Sequence, residues 1–152
     1  IRRQRQMCIR DRADTVARYK YVSRNGRIDG YYSGYTFANQ LGVITQVPYT
    51  LEIVSNNASA KVQEVNLQGR KVILRKAKIP VTRENYKILQ FLDFLKDVEL
   101  YMDKNNEVYI DRIKRYIVDE QICKMDVDFY IRQYPDRIYR SIYEMGLYEF
   151  FV

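Results

Sequence analysis

The chain of 152 residues has no histidine and only two cysteines, Cys8 and Cys123. Without histidine there is no imidazole base, no histidine metal ligand and no Ser-His triad. Two cysteines imply no disulfide framework, and a thiol without a histidine partner is a poor nucleophile. Glycine-rich phosphate loops are also missing. No window approaches the roughly 18 consecutive apolar residues of a membrane span, and no charged-then-apolar leader opens the chain. These absences point to a cytoplasmic protein that is not an enzyme, carries no cofactor or metal and has no membrane partner.

What the chain does have is 47% apolar residues, ordinary for a globular protein, and a formal net charge of +7. Much of that charge is concentrated at the start. Arg2, Arg3, Arg5, Arg10 and Arg12 against Asp11 give the first twelve residues +4, and the other 140 carry 21 basic against 18 acidic residues, or +3. The opening Ile1-Arg2-Arg3-Gln4-Arg5-Gln6-Met7-Cys8-Ile9-Arg10-Asp11-Arg12 resembles translated sequencing-adapter read-through. Residues 1–12 therefore read as a non-native extension, with natural sequence lost upstream, and 13–152 as a single domain.

The organising stretch is Tyr31 to Pro48. Ser33 is placed to cap a short helix carrying Tyr35, Phe37, Ala38 and Leu41, and Gly42 falls where a left-handed residue ends a helix. Thr45 to Val47 read as extended, and Pro48 biases Val47 toward the β region. The run Tyr32-Ser33-Gly34, then Ala38-Asn39-Gln40-Leu41-Gly42, then Thr45-Gln46-Val47-Pro48, resembles the hallmark segment of AbiEi-type antitoxins of prokaryotic type IV toxin-antitoxin and abortive-infection systems. Ile53-Val54-Ser55-Asn56-Asn57 extends the likeness. The resemblance implies an antitoxin that neutralises a nucleotidyltransferase toxin. It also implies transcriptional autoregulation, with DNA bound through an N-terminal winged-helix module that this chain lacks. Ser33, Gly34, Gly42, Gln46 and Pro48 are the expected structural hub.

Taken in order, residues 14–22 show helical spacing and close on Ser23-Arg24-Asn25-Gly26. Tyr49 to Val54 alternates like a strand with one solvated face. Residues 61–67 and 70–76 flank Gln68-Gly69, a two-residue hairpin turn that sets Val65 opposite Val72. From Lys61 to Lys78 six cations face one acid, so Arg70, Lys71, Arg75, Lys76 and Lys78 are expected to contact nucleic acid or an acidic protein partner. A nucleic-acid-binding module acting through this hairpin is the alternative function. A solvated edge that resists aggregation is the structural alternative.

Beyond Pro80, Thr82 opens a helix with a wide apolar face through Tyr86, Leu89, Leu92 and Leu95. Helices are expected over 107–120, with Val108, Ile113 and Ile117 as its stripe, over 125–133, and over 136–145, where Gly146 stops the last. Asp126-Val127-Asp128 lacks the Gly-Ser partner of a nucleotidyltransferase and reads as charge at a helix N-terminus. Glu52, Glu64 and Lys71 on neighbouring strands make a generic and weak case for Mg²⁺. Five C-terminal tyrosines, at positions 130, 134, 139, 143 and 148, suit a core edge if covered and an interface if exposed. The fold expected is α+β: a small antiparallel sheet of three or four strands, N-terminal helices, and a C-terminal array of about four helices.

Overall fold

The computed structural model describes residues 12–152, and it is α+β. The expectation for residues 1–12 lies outside the described residues except at Arg12, which begins the first helix. Where the sequence reads as one domain, the backbone resolves into two compact units, one of 12–36 and 48–86 and one of 37–47 and 87–152.

In the first unit, α1 (residues 12–22) is α-helical to residue 17 and ends in a π-turn, Arg18–Val22. The next residues, expected only to close this helix, form a small ribbon instead. It pairs β1 (Ser23–Arg24) with β2 (Arg27–Ile28) around Asn25 and Gly26, both at positive φ. The main sheet has four strands in the order β3 (Gly30–Tyr32), β4 (Leu51–Ser55), β6 (Arg70–Lys76), β5 (Val62–Leu67). Its core face gathers Leu51, Ile53, Val72 and Leu74 beside Ala17 and Val22 of α1.

Two details of the sheet differ from the sequence reading. First, it is mixed, because β4 and β6 run parallel. The 56–61 loop carries the chain past the vacant position beside β4, and the hairpin then returns β6 into that position. Composition explains the order: β6 supplies three successive apolar residues, Val72-Ile73-Leu74, fit for an interior strand, whereas the Val-Gln-Glu-Val-Asn-Leu sequence of β5 suits an edge. Second, β4 is central, with Val54 and Ser55 buried as well as Leu51 and Ile53, so it has no solvated face. Residues 45–47, expected to be extended, form no strand. The hairpin is as expected: Gln68 and Gly69 both take positive φ, and Val65 opposes Val72.

Helix α2 (Gly34–Leu41) leaves its first three residues in the first unit and the rest in the second. The second unit continues with α3 (Tyr86–Lys96) from its second residue on, α4 (Glu107–Asp119), α5 (Lys124–Tyr130) and α6 (Arg137–Glu144). The helix α3 begins at Tyr86 rather than Thr82, because the Asn85 side chain accepts from the Thr82 N–H at 2.7 Å and donates to the Pro80 carbonyl at 2.9 Å. Six of its eleven residues are buried, each worth roughly 1.5–3 kcal/mol relative to exposure, which makes it the central core helix. Around it pack Ile113 and Ile117 of α4, Val127 of α5 and Ile138 and Ile142 of α6. Val108, expected in the α4 stripe, is exposed, because five residues before Ile113 it falls off the helix face that Tyr109, Ile110, Ile113 and Ile117 turn to that core.

Candidate interaction surfaces

The hub divides between the units. In the first unit, Ser33 does not cap α2: its hydroxyl is buried without a hydrogen-bond partner among the described residues. The cap comes instead from β4, where Glu52 Oε2 accepts from the Tyr35 N–H at 2.8 Å. Arg75 on β6 holds the other carboxylate oxygen at 3.2 Å. A carboxylate therefore sits against the positive end of the helix, the arrangement the helix dipole favours. Gly34 is needed for it, since a Cβ there would overlap the Glu52 carboxylate. Two further bonds latch the turn to β4: Ser33 N–H to the Glu52 carbonyl at 3.0 Å, and Glu52 N–H to Thr36 Oγ1 at 3.0 Å.

In the second unit, Gly42 stops α2 at φ +83°, with its N–H bonded to the Asn39 carbonyl and the Val43 N–H to that of Ala38. This is a Schellman closure, and buried Val43 supplies the apolar contact that accompanies it. Asn39 Nδ2 then donates to the carbonyls of Ile44 at 3.1 Å and Gln46 at 3.2 Å, shaping the loop that follows. The Gly42 carbonyl accepts from Arg112 of α4. Gln46 itself is exposed, and Pro48 offers its carbonyl to Arg70 in the first unit.

The five hairpin cations separate into two groups. Arg70 lies on the core face, largely buried; its Nε meets Asp14 at 3.2 Å in an ion pair too poorly aligned for a hydrogen bond, and Nη1 donates to the Tyr49 carbonyl at 2.7 Å. Arg75 holds Glu52, and Lys71 pairs with Glu64 at 3.2 Å. Lys76 and Lys78 are exposed and form no ion pair among the described residues. Lys61, counted among the six hairpin cations but not among the expected contacts, and Lys20 share that condition. The runs of charge in sequence do not show which cations are free.

Charge separates by unit more sharply than by segment. The described part of the first unit has twelve basic and five acidic residues, +7, and the second has ten and thirteen, −3. Glu52 and Glu64 lie on one sheet face but on opposite sides of β6, both in register with Ile73. Both carboxylates are engaged elsewhere, Glu52 with the Tyr35 N–H and Arg75, and Glu64 with Lys71, and no group of three or more acidic or thiol side chains that could hold a metal ion occurs among the described residues.

In the second unit, Lys104 bridges Glu99 and Glu144 at 2.7 Å each. Those two bonded carboxylates raise the Lys104 ammonium above its usual value, and Lys104 in turn holds Glu99 below the ordinary carboxylate range. Burial, with the Asp93 carboxylate beside it, pushes the Tyr134 phenol well above its ordinary value. Tyr130 and Tyr134 are partly buried against the core, while Tyr139, Tyr143 and Tyr148 are exposed, Tyr143 at 86%. Met125, 80% exposed, and Phe129 stand one turn apart on α5, and Tyr139 and Tyr143 one turn apart on α6. Asp126 and Asp128 are exposed within α5, Asp126 in its first turn. No helix among the described residues is long and apolar enough to cross a membrane. Comparison with family models, curated proteins and solved structures finds no match.

Proposed function

We propose that this chain is the protein-binding part of an AbiEi-type antitoxin. It is a non-enzymatic, cytoplasmic protein of a prokaryotic type IV toxin-antitoxin system, neutralising a nucleotidyltransferase toxin by contact. In this reading it assists transcriptional autoregulation through DNA held by an N-terminal module outside the chain. The hub resemblance suggests the family. The observation that carries the binding role is the set of exposed large side chains on the second unit: Met125, Phe129, Tyr139 and Tyr143. Aromatics and methionine are enriched at protein interfaces, and leaving them in water has no benefit for an isolated helical unit.

The test is co-expression with a nucleotidyltransferase toxin of a type IV system. The chain should restore growth and copurify with the toxin, and the double variant Phe129→Ala/Tyr143→Ala should fold but do neither. Toxicity that persists beside a folded, expressed chain overturns the reading. The second reading, direct nucleic-acid binding through residues 61–78, draws support from the +7 charge of the described part of the first unit.

A further inference from the structure

We propose that the first unit carries a phosphodiester-binding site at one end of its sheet, built from Lys20, Lys61, Lys76 and Lys78, and that the hairpin's length and turn take no part. The site stands apart from the antitoxin reading and rests on the second one, direct nucleic-acid binding, which it narrows to one end of the sheet. Its frame is a row across the sheet end. Gly30 pairs with Ser55 and Ser55 with Lys76, and the Lys76 N–H bonds to the Lys61 carbonyl at 3.1 Å. Lys61 and Lys76 are thus directly opposed. Like charges in that position destabilise a sheet unless an anion lies between them.

Lys78 follows two residues on, after the Ala77 N–H has bonded to the Ser55 carbonyl at 3.2 Å. Lys20 is brought to the same end by its carbonyl, which accepts from Asn57 Nδ2 at 3.2 Å. All four lysines are exposed. Four of the five described side-chain carboxylates of the unit already serve other cations, Asp14 with Arg70, Asp29 with Arg27, Glu52 with Arg75 and Glu64 with Lys71. No ion pair to any of the four lysines occurs among the described residues. Buried Ser55, bonded through Oγ to the Tyr21 carbonyl at 2.5 Å, ties the end of α1 to the end of β4, beside which β6 carries Lys76. Ammonium groups gathered at one sheet end, without planar forks, suit the repeating charge of a phosphate backbone, whereas base-specific recognition favours arginine.

The experiment uses the full chain with a fluorescent random-sequence duplex and its single strand, titrated with salt. If each lysine meets one phosphate, replacing all four by alanine should flatten the log-log salt slope on duplex by roughly three to four units. At about 50 mM salt it should weaken binding by a hundredfold or more. Changing Arg115, Arg132 and Arg140 of the second unit to alanine, and separately Lys71→Ala, should move the slope by less than one unit. The all-arginine variant at the four positions should restore binding. Equal loss in the second-unit control overturns the site, as does an unchanged slope in the four-lysine variant with a native melting curve. Binding of poly-glutamate as tight as that of nucleic acid of matched charge would also overturn it, since the site would then be one for acidic protein surfaces.

Discussion

Glu52→Ala should destabilise the first unit by about 2 kcal/mol, whereas Ser33→Ala should change it by less than about 0.5 kcal/mol. In the sequence Ser33 is the cap; in the structure Glu52 is. Losing an N-terminal cap costs about 1 kcal/mol, and losing a carboxylate from the positive end of a helix costs a further 0.3–1 kcal/mol, roughly. The Arg75 pair adds little, because that guanidinium is 43% exposed and such pairs are worth about 0–1 kcal/mol. Truncation also leaves the Tyr35 N–H without its acceptor. Ser33→Ala removes a buried hydroxyl that has no hydrogen-bond partner among the described residues, so nothing of that kind is lost. Glu52→Gln keeps an acceptor oxygen without the charge and should fall between the two. Urea unfolding followed by far-UV circular dichroism gives the order, and amide exchange at Tyr35 localises it. A Ser33→Ala cost near 1 kcal/mol with a smaller Glu52→Ala cost would refute the assignment.

Three more outcomes are expected. Gly42→Ala should cost about 1 kcal/mol or more, because its φ of +83° strains any side chain and a Cβ would crowd Arg112 Nη1; a neutral midpoint in urea would refute this. Gln121→Gly should stabilise the second unit by about 1 kcal/mol, since Gln121 occupies the same left-handed closure at the end of α4, φ +54°, with the Ile122 N–H bonded to the Ile117 carbonyl; a lower melting temperature would count against it. Lys104→Met should be less stable than the parent at neutral pH, with a margin that depends on pH. Glu99 has a lowered folded value, so its share is present above the ordinary carboxylate range and lost as pH falls through that range. Lys104 has a raised one, so its share is present below the ordinary lysine range and lost as pH rises through the folded value. A margin constant from acid to alkaline pH, in parallel urea titrations, would contradict this.

The features legible in the sequence are those whose causes are local. Gly42 and Gly146 mark helix ends because a left-handed residue is required there, and Gln68-Gly69 fixes the hairpin register because a two-residue turn leaves one pairing. The periodic apolar run of α3 required a core helix, and α5 and α6 lie close to where the Pro and Gly punctuation sets them. The exposed tyrosines were visible as residues, but the spacing could not say which faced water.

Only the tertiary structure decided the rest, because the partners lie far apart in the chain. Glu52 caps α2 from 17 residues beyond Tyr35, a distance at which no capping pattern can be read. The parallel pairing of β4 with β6 depends on where the hairpin is inserted, which neither strand encodes alone. The division of the hairpin cations into spent and free ones follows from the same placement. Arg70, Lys71 and Arg75 are paired with carboxylates that the fold brings to them, and Lys20, Lys61, Lys76 and Lys78 are left at a sheet end where no carboxylate pairs with them among the described residues. Composition sets the number of charges, but only the folded backbone determines which remain unneutralised.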